Sequence, residues 1–415
     1  MSSISVENVS LCFQRPSVPV SGGTTVIAVS SLPTQDLPPN HVLIKVERFG
    51  FSANNITYQA LGEQPHFRYF DFHYAPEAGN VSAKSHGLVP VWGFGTIVAS
   101  SHPKISPGEH VYGYFAPSRY LLVPVSPSDV NRHAFYVPRP HLPADRRPYN
   151  QIRRCAADPE YTPTALGEDL TMLYRPLFWT AYWFEDWLHS TGYRGATRVL
   201  LSSASAKTAF CVAYLIRKRR ARGETSSSLK IVGLTSARNL AFTRGLGLYD
   251  EVVEYGAAEA ALAQAPGQNK WVYADVAGNV ALNARLFAHL GKALVASIAL
   301  GMASLEPASK QAAALDFQTN KFTGAEPPAT AQLETFFMVE WLSVRQRQLA
   351  PDEIVRRQRQ VWTELMADCV PWVRLVHVSG ANEVKRAYDE ITKTGFSADV
   401  GYIWSMWDDA RPAKM

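Results

Sequence analysis

Cysteine is scarce and scattered. The chain of 415 residues holds 4 cysteines, Cys12, Cys155, Cys211 and Cys369. None belongs to a CxxC pair, which excludes a ribbon-type structural zinc and argues against a disulfide scaffold. Long apolar runs are missing too. No stretch of about 18 apolar residues could span a bilayer, and no opening run has the form of a signal peptide. A cytoplasmic, reduced, soluble protein is therefore expected. Excess charge is also lacking: charged residues are 19% of the chain and the formal net charge is +5. The main basic run, Arg217-Lys218-Arg219-Arg220-Ala221-Arg222, sits at one expected helix end, where cations meet the partial negative charge of the last carbonyls. Neither nucleic acid nor a membrane is an expected partner. No GxSxG, HExxH or glycine-rich phosphate loop occurs, so serine-hydrolase, zincin and ATPase chemistry have no motif here.

What the chain does have is apolar content of 47% and length for two domains with sizeable cores. Its most organised stretch is Val199 to Tyr255. Val199 to Ser203 reads as a short buried strand and Ala204 to Lys207 as a tight turn. Thr208 to Arg220 reads as a helix, with Phe210, Ala213, Tyr214 and Arg217 at helical spacing. Leu229 to Thr235 is a second strand, Asn239 to Leu246 a helix, and Val252 to Tyr255 a third strand. This β-α-β-α-β order is half of a doubly wound nucleotide-binding fold. A dinucleotide turn normally carries glycines, so that the backbone can approach a pyrophosphate. Here the spaced positions are Ser203, Ala206 and Ala209, small but not glycine. An ordinary strand-to-helix connection competes with the nucleotide reading. Ser205, Lys207 and Thr208 could donate to a phosphate where backbone amides cannot come as close.

The residue types after the second strand bear on the cofactor. NAD sites place an acid there for the ribose 2′-hydroxyl; NADP sites present Arg or Ser to the 2′-phosphate instead. The strand ends Thr235-Ser236-Ala237-Arg238, with no acid until Asp250. If a dinucleotide binds, Ser236 and Arg238 favour NADP(H). The competing reading has Ser236 capping the next helix and Arg238 solvated.

Several segments, in order, resemble the medium-chain dehydrogenase/reductase superfamily. Val199 to Ala209 stands where that superfamily has its nucleotide turn. Gly245-Leu246-Gly247-Leu248-Tyr249-Asp250-Glu251-Val252-Val253-Glu254-Tyr255 is similar to its segment ending Asp-Glu-Val-Ile-Asp-Tyr. Pro107-Gly108-Glu109-His110-Val111 resembles its Pro-Gly-Asp-Arg-Val turn, and Asp275-Val276-Ala277-Gly278 its Asp-Thr-Val-Gly strand end. The zinc-less, quinone-reductase-like branch is the nearest, and the glycine-poor turn marks a divergent member of it. Zinc alcohol dehydrogenases carry Gly-His-Glu and an upstream cysteine where this chain has Trp92-Gly93-Phe94 and no cysteine between Cys12 and Cys155. A catalytic zinc is therefore not expected.

The resemblance implies an α/β fold: an N-terminal, partly open β-barrel catalytic domain over 1–170, a Rossmann-like doubly wound parallel sheet over 171–328, and a segment over 329–415 returning to the catalytic domain. Within the last two parts, Ala303 to Pro328 is expected to cross between domains and Glu334 to Gln348 to be a helix. It implies NADP(H) as cofactor, with Thr180 near the nicotinamide and Tyr255 near the adenosine end. It also implies a substrate side at Phe51 to Gly62, where relatives line the cleft. Tyr58 is the candidate donor to a substrate carbonyl, helped by Asn55. A turn built on Asn side chains is the competing reading. The aromatic run Phe67 to Tyr74, with His66, reads either as core or as a wall for a planar, apolar substrate. The expected activity is hydride transfer from NADPH to an enone or quinone, without a metal. Non-redox lyase, isomerase or hydrolytic work on the same fold, or NADP(H) binding without catalysis, remain open. The expected partners are a small planar or apolar molecule and a second copy of the chain as a homodimer.

Overall fold

The computed structural model describes residues 4–18, 24–65, 67–262, 269–301, 315–316, 321–322, 333–336 and 338–408. His66 and most of the expected crossing segment 303–328 lie outside them. The chain divides into two compact units, Met1–Leu173 with Arg356–Met415, and Tyr174–Val355.

The first unit is built on strands. β1 (Ser5–Gln14) and β2 (Thr25–Pro33) form the antiparallel hairpin that their alternation predicts, and β4 (His86–Gly87) joins β1. β3 (His41–Phe51) leads into α1 (Ala53–Ala60). β5 (Val91–Ser100), β6 (His110–Phe115), β7 (Tyr120–Pro124), β8 (Ala134–Tyr136) and β9 (Gln151–Arg154) precede α2 (Ala165–Ser190). The closing run supplies β18 (Arg374–Ser379), α9 (Ala381–Thr394) and β19 (Val400–Ser405). These strands form a sheet in the order β18-β19-β3-β5-β6-β9-β8, with β7 also on β3. β3 is its centre. One edge pairs with β5; the other is shared, β7 taking His41 to Lys45 and β19 taking Phe49 to Phe51. Burial of Val42, Leu43, Ile44, Val46, Phe49 and Phe51 follows from that position. The stretch 131–164 is proline-rich. It holds β8 and β9, which extend the sheet beyond β6, because Phe135 and Ile152 supply apolar positions that bury completely.

The second unit is a parallel sheet. β10 (Arg198–Leu201), α3 (Lys207–Ala221), β11 (Lys230–Thr235), α4 (Leu240–Gly245) and β12 (Glu251–Glu254) form its first half. α5 (Ala258–Leu262), β13 (Trp271–Asp275), α6 (Val280–Leu290) and β14 (Leu294–Ala299) follow. Beyond the short pair β15 (Leu315–Asp316) and β16 (Lys321–Phe322) come β17 (Leu333–Thr335), α7 (Met338–Gln348) and α8 (Pro351–Asp368). The order β12-β11-β10-β13-β14-β17 is the doubly wound one, with the reversal at β10 and β13. The stretch expected as one helix from Glu334 begins as the edge strand β17, hydrogen-bonded to β14, and turns helical only at Met338. Pairing with an open sheet edge outweighed local helix propensity there. The core is apolar and continuous: Leu200, Val232, Leu234, Trp271, Tyr273, Leu286 and Phe287 are all buried in one cluster.

Candidate functional site

In a doubly wound sheet, ligands gather outside the carboxyl ends of the strands at the reversal. Here that rim is built by β10, β11, β12 and β13. Leu201 ends β10, and Ser202 is fully buried behind the turn. The Ser202 hydroxyl donates to Asp275 Oδ1 at 2.8 Å and accepts the amides of Val276 and Ala277. Asp275 also accepts the Gly278 amide at 3.0 Å and Asn283 Nδ2 at 2.6 Å. Burial raises the Asp275 pKa, against these donors, which hold it down. The network locks the ends of β10 and β13 together.

The turn itself presents partly exposed side chains at Ser203, Ser205, Ala206, Lys207 and Thr208. Ser203 stands at φ 48°, a left-handed conformation that glycine adopts without cost. Its amide donates to the Tyr255 hydroxyl at 2.9 Å. The Ala204 amide donates to the Leu234 carbonyl at 2.8 Å, while the Ala204 carbonyl accepts the Tyr249 hydroxyl at 2.7 Å. Ala206 precedes α3 and has no side-chain oxygen with which to cap it. The Lys207 ammonium lies 6.0 Å from the Tyr174 ring centre.

The end of β11 is joined to this turn. Asn239 Nδ2 donates to Ser205 Oγ at 3.0 Å, so the segment 236–239 and the turn form one rim. Ser236 makes no side-chain cap for the helix that follows it, and Arg238 is exposed. Thr235 Oγ1 is buried and has no hydrogen-bond partner among the described residues. Asp250, the nearest acid along the chain, is bound at the opposite end of β11, accepting the Ile231 amide and Arg220 at 2.8 Å. The tertiary structure does bring another acid closer: Glu254 stands opposite Thr235 in the β11–β12 register. These groups suit a dinucleotide: hydroxyls, Lys207 and Arg238 on one rim, with the small Ala204 and Ala206 beside them.

Of the residues singled out on sequence, Ser203, Ser205, Ala206, Lys207, Thr208, Ser236, Arg238 and Tyr255 thus share the C-terminal edge of one sheet. Tyr255 is there to hold Ser203. Thr180 is not joined to the rim by any hydrogen bond among the described residues; its hydroxyl donates to the Pro176 carbonyl one turn back in α2. Asn239 and Ser202 carry no motif; Tyr249 and Asp275 lie in segments that resemble the superfamily's, but nothing in those segments or in periodicity could have paired them with the turn.

The substrate-side residues lie in the first unit. Asn55 is consumed by structure: its Oδ1 accepts the Ser52 amide at 2.8 Å, as in a capping box, and its Nδ2 donates to the Pro90 carbonyl at 3.0 Å. Its part is to seat α1 on the strand that follows. Asn54, one residue earlier, is the neighbour that reaches Tyr58, donating to its hydroxyl at 2.7 Å. Tyr58 is 5% exposed, and burial raises its pKa. Its ring centre lies 4.4 Å from Tyr69 and 5.6 Å from Tyr114. Tyr114 in turn meets Trp92 at 4.9 Å, Tyr149 at 5.0 Å and Phe72 at 5.2 Å. Phe67, Tyr69 and Phe72 therefore share one aromatic cluster with Tyr58, whose half-buried members are Phe67, Trp92 and Tyr149, whereas Tyr74 is exposed beside His141. His73 is buried beside it, its Nε2 donating to the Tyr114 carbonyl at 2.9 Å, its pKa lowered to about 3 by burial and by Arg139. Among the described residues no three His, Cys, Asp or Glu side chains converge as a metal site.

No curated protein matches the chain. Among solved structures, that of CurA from Vibrio vulnificus is similar over 97% of this chain and 100% of its own, with a TM-score of 0.54 at 12% identity. The structure of CurA from Vibrio vulnificus in complex with NADPH gives a TM-score of 0.51 at 13% identity, over 96% of this chain and 98% of that one. Such likeness concerns the fold alone. The profile of one family matches residues 49–397, most of the chain, and the protein belongs to that family, described as "Protein of unknown function (DUF2855)".

Proposed function

We propose that this protein is an NADPH-dependent, zinc-independent reductase of activated C=C bonds, as in enones, or of quinone-like small molecules. The observation that carries the reading is the end of β11. Ser236 does not cap, Arg238 is exposed, and Asp250 is tied up at the far end of the strand. Such an end suits a 2′-phosphate. The NADPH bound by CurA, on a similar fold, supports it.

Bound NADPH would supply a hydride to the β-carbon of a conjugated carbonyl. Arg238 and Ser236 would hold the 2′-phosphate. Ser205, Lys207 and Thr208 would meet the pyrophosphate beside the start of α3, where amide groups point outward and the helix end is partly positive. Ser203 and Ala206 shape that approach, and Tyr255 fixes the turn. Thr180 would face the nicotinamide. Tyr58 accepts its hydrogen bond from Asn54, so its own proton is available to the carbonyl oxygen as negative charge grows there. Trp92 and Tyr149 would offer flat apolar faces to a planar substrate. Water would supply the proton that completes the product at the α-carbon.

Calorimetric titration with NADPH and NADH, followed by NADPH consumption over a panel of enones and quinones, tests the reading. NADPH should bind more tightly, and at least one acceptor should stimulate its oxidation. Failure to bind either dinucleotide overturns it; binding without stimulated oxidation moves the protein to NADP(H) binding without redox work.

A further inference from the structure

The nucleotide turn reaches a left-handed backbone without glycine at its first position. Ser203 pays in steric strain for φ 48°, because a Cβ in that region crowds the following carbonyl oxygen. Two tyrosine hydroxyls, both from the chain after α4, close on this point from one side. Tyr255 accepts the Ser203 amide at 2.9 Å, and Tyr249 donates to the Ala204 carbonyl at 2.7 Å. The Ala206 amide donates to the Ser203 carbonyl at 2.7 Å and closes the turn. Both phenols are shielded, and burial raises the pKa of each, so both stay neutral and keep these bonds across the physiological range. Gly233 makes room for the arrangement: a Cβ there would lie 2.8 Å from both Ala204 Cβ and the Tyr249 ring.

We infer that Tyr255, seconded by Tyr249, is a positioning residue that does the conformational work of the missing glycine. Its hydroxyl holds Ser203 in the left-handed state and so keeps the turn in the form that admits a pyrophosphate. The inference rests on the NADPH reading above and assigns Tyr255 a place under the turn, not at the adenosine.

The test compares the wild type, Tyr255→Phe, and Tyr255→Phe combined with Ser203→Gly. NADPH affinity is measured by calorimetry, and amide hydrogen exchange by mass spectrometry over residues 200–210. Tyr255→Phe should weaken NADPH roughly 10-fold, the loss typical of one hydrogen bond at a strained site, and should speed exchange in the turn. The added glycine, which needs no brace, should return affinity to within about 3-fold and restore slow exchange at Ala204 and Ala206. Unchanged affinity in Tyr255→Phe, tighter binding, or a loss that glycine does not rescue overturns the inference; the first would mean that the ring merely packs, the last that the hydroxyl acts other than by bracing Ser203. If the wild type binds no NADPH, the functional reading fails by itself. The exchange data then decide the brace alone, and turn protection unmoved by Tyr255→Phe rejects it.

Discussion

On the proposed reading, cofactor choice turns on Arg238. A guanidinium can pair with a phosphate that NADH lacks, and charge-assisted contacts of this kind are worth roughly 1.5–3 kcal/mol, or about 10- to 100-fold in affinity. Arg238→Ala should therefore bring NADPH down to the affinity of NADH and leave NADH unchanged. Equal affinities in the wild type would sink the idea. Glu254, opposite Thr235, works against the phosphate, so the measured preference is the balance of the two charges. On the same reading, turnover turns on Tyr58. Tyr58→Phe removes one donor to a developing oxyanion, a change that costs about 100- to 1,000-fold in rate. The ring still packs, but Asn54 loses its acceptor, so stability should fall by about 1 kcal/mol. NADPH affinity should not move. Wild-type turnover in this variant would make Tyr58 a core residue and shift attention to Trp92 and Tyr149.

At the scale of elements, the start of α2 gathers charge in the first unit. Glu168 accepts from Arg48 at 2.5 Å, from His110 at 2.8 Å and from the Tyr161 hydroxyl at 2.8 Å; Asp169 accepts from Arg48 at 2.6 Å and meets His377 at 2.7 Å. Carboxylates in the first turns of a helix suit the partly positive end. Burial alone would lower the His110 pKa, but the hydrogen bond and charge of Glu168, with Glu47, outweigh it and Arg48, and the net shift is upward. For Glu168 burial would raise the pKa, and His110, Tyr161 and Arg48 outweigh it downward. A raised histidine contributes stability that is full below its unfolded pKa of about 6.5 and fades as pH rises through the folded value. A depressed carboxylate contributes stability present above its unfolded pKa of about 4.3 and lost as pH falls through the folded one. Denaturant melts should thus show wild-type stability declining as pH rises above about 6.5, with that component absent in His110→Gln. Parallel pH profiles for the two proteins would refute the coupling.

For the whole molecule, zinc independence is the property that separates this reading from a metal-dependent dehydrogenase. A catalytic zinc needs three protein ligands within bonding distance of one point. The chain has no cysteine between Cys12 and Cys155, and Cys12 is buried among apolar groups, its thiol pushed up to about 12 by burial. Prolonged chelation should leave both NADPH turnover and melting temperature unchanged. Stoichiometric zinc by elemental analysis, lost together with activity, would overturn the metal-free mechanism.

The β-α-β-α-β unit was legible in Val199 to Tyr255, because buried parallel strands are short apolar runs and α3 repeats its apolar face at helical spacing. The partly open barrel and the doubly wound sheet were likewise legible from ordered, local motifs. Composition alone limited the charge and cysteine chemistry on offer. What only the tertiary structure decided depends on partners distant in sequence. Ser202 and Asp275 meet across two parallel strands. Tyr255 reaches past one strand, β11, to the Ser203 amide, and Glu254 comes to lie beside Thr235 through strand register alone. The same is true of Tyr58 and the run Phe67 to Tyr74, which read as rival sites in sequence, while in space Tyr58 packs on Tyr69 and through it joins Phe67 and Phe72. Local periodicity reports which face of an element is buried; it carries no information about which side chain, tens of residues away, completes a hydrogen bond there.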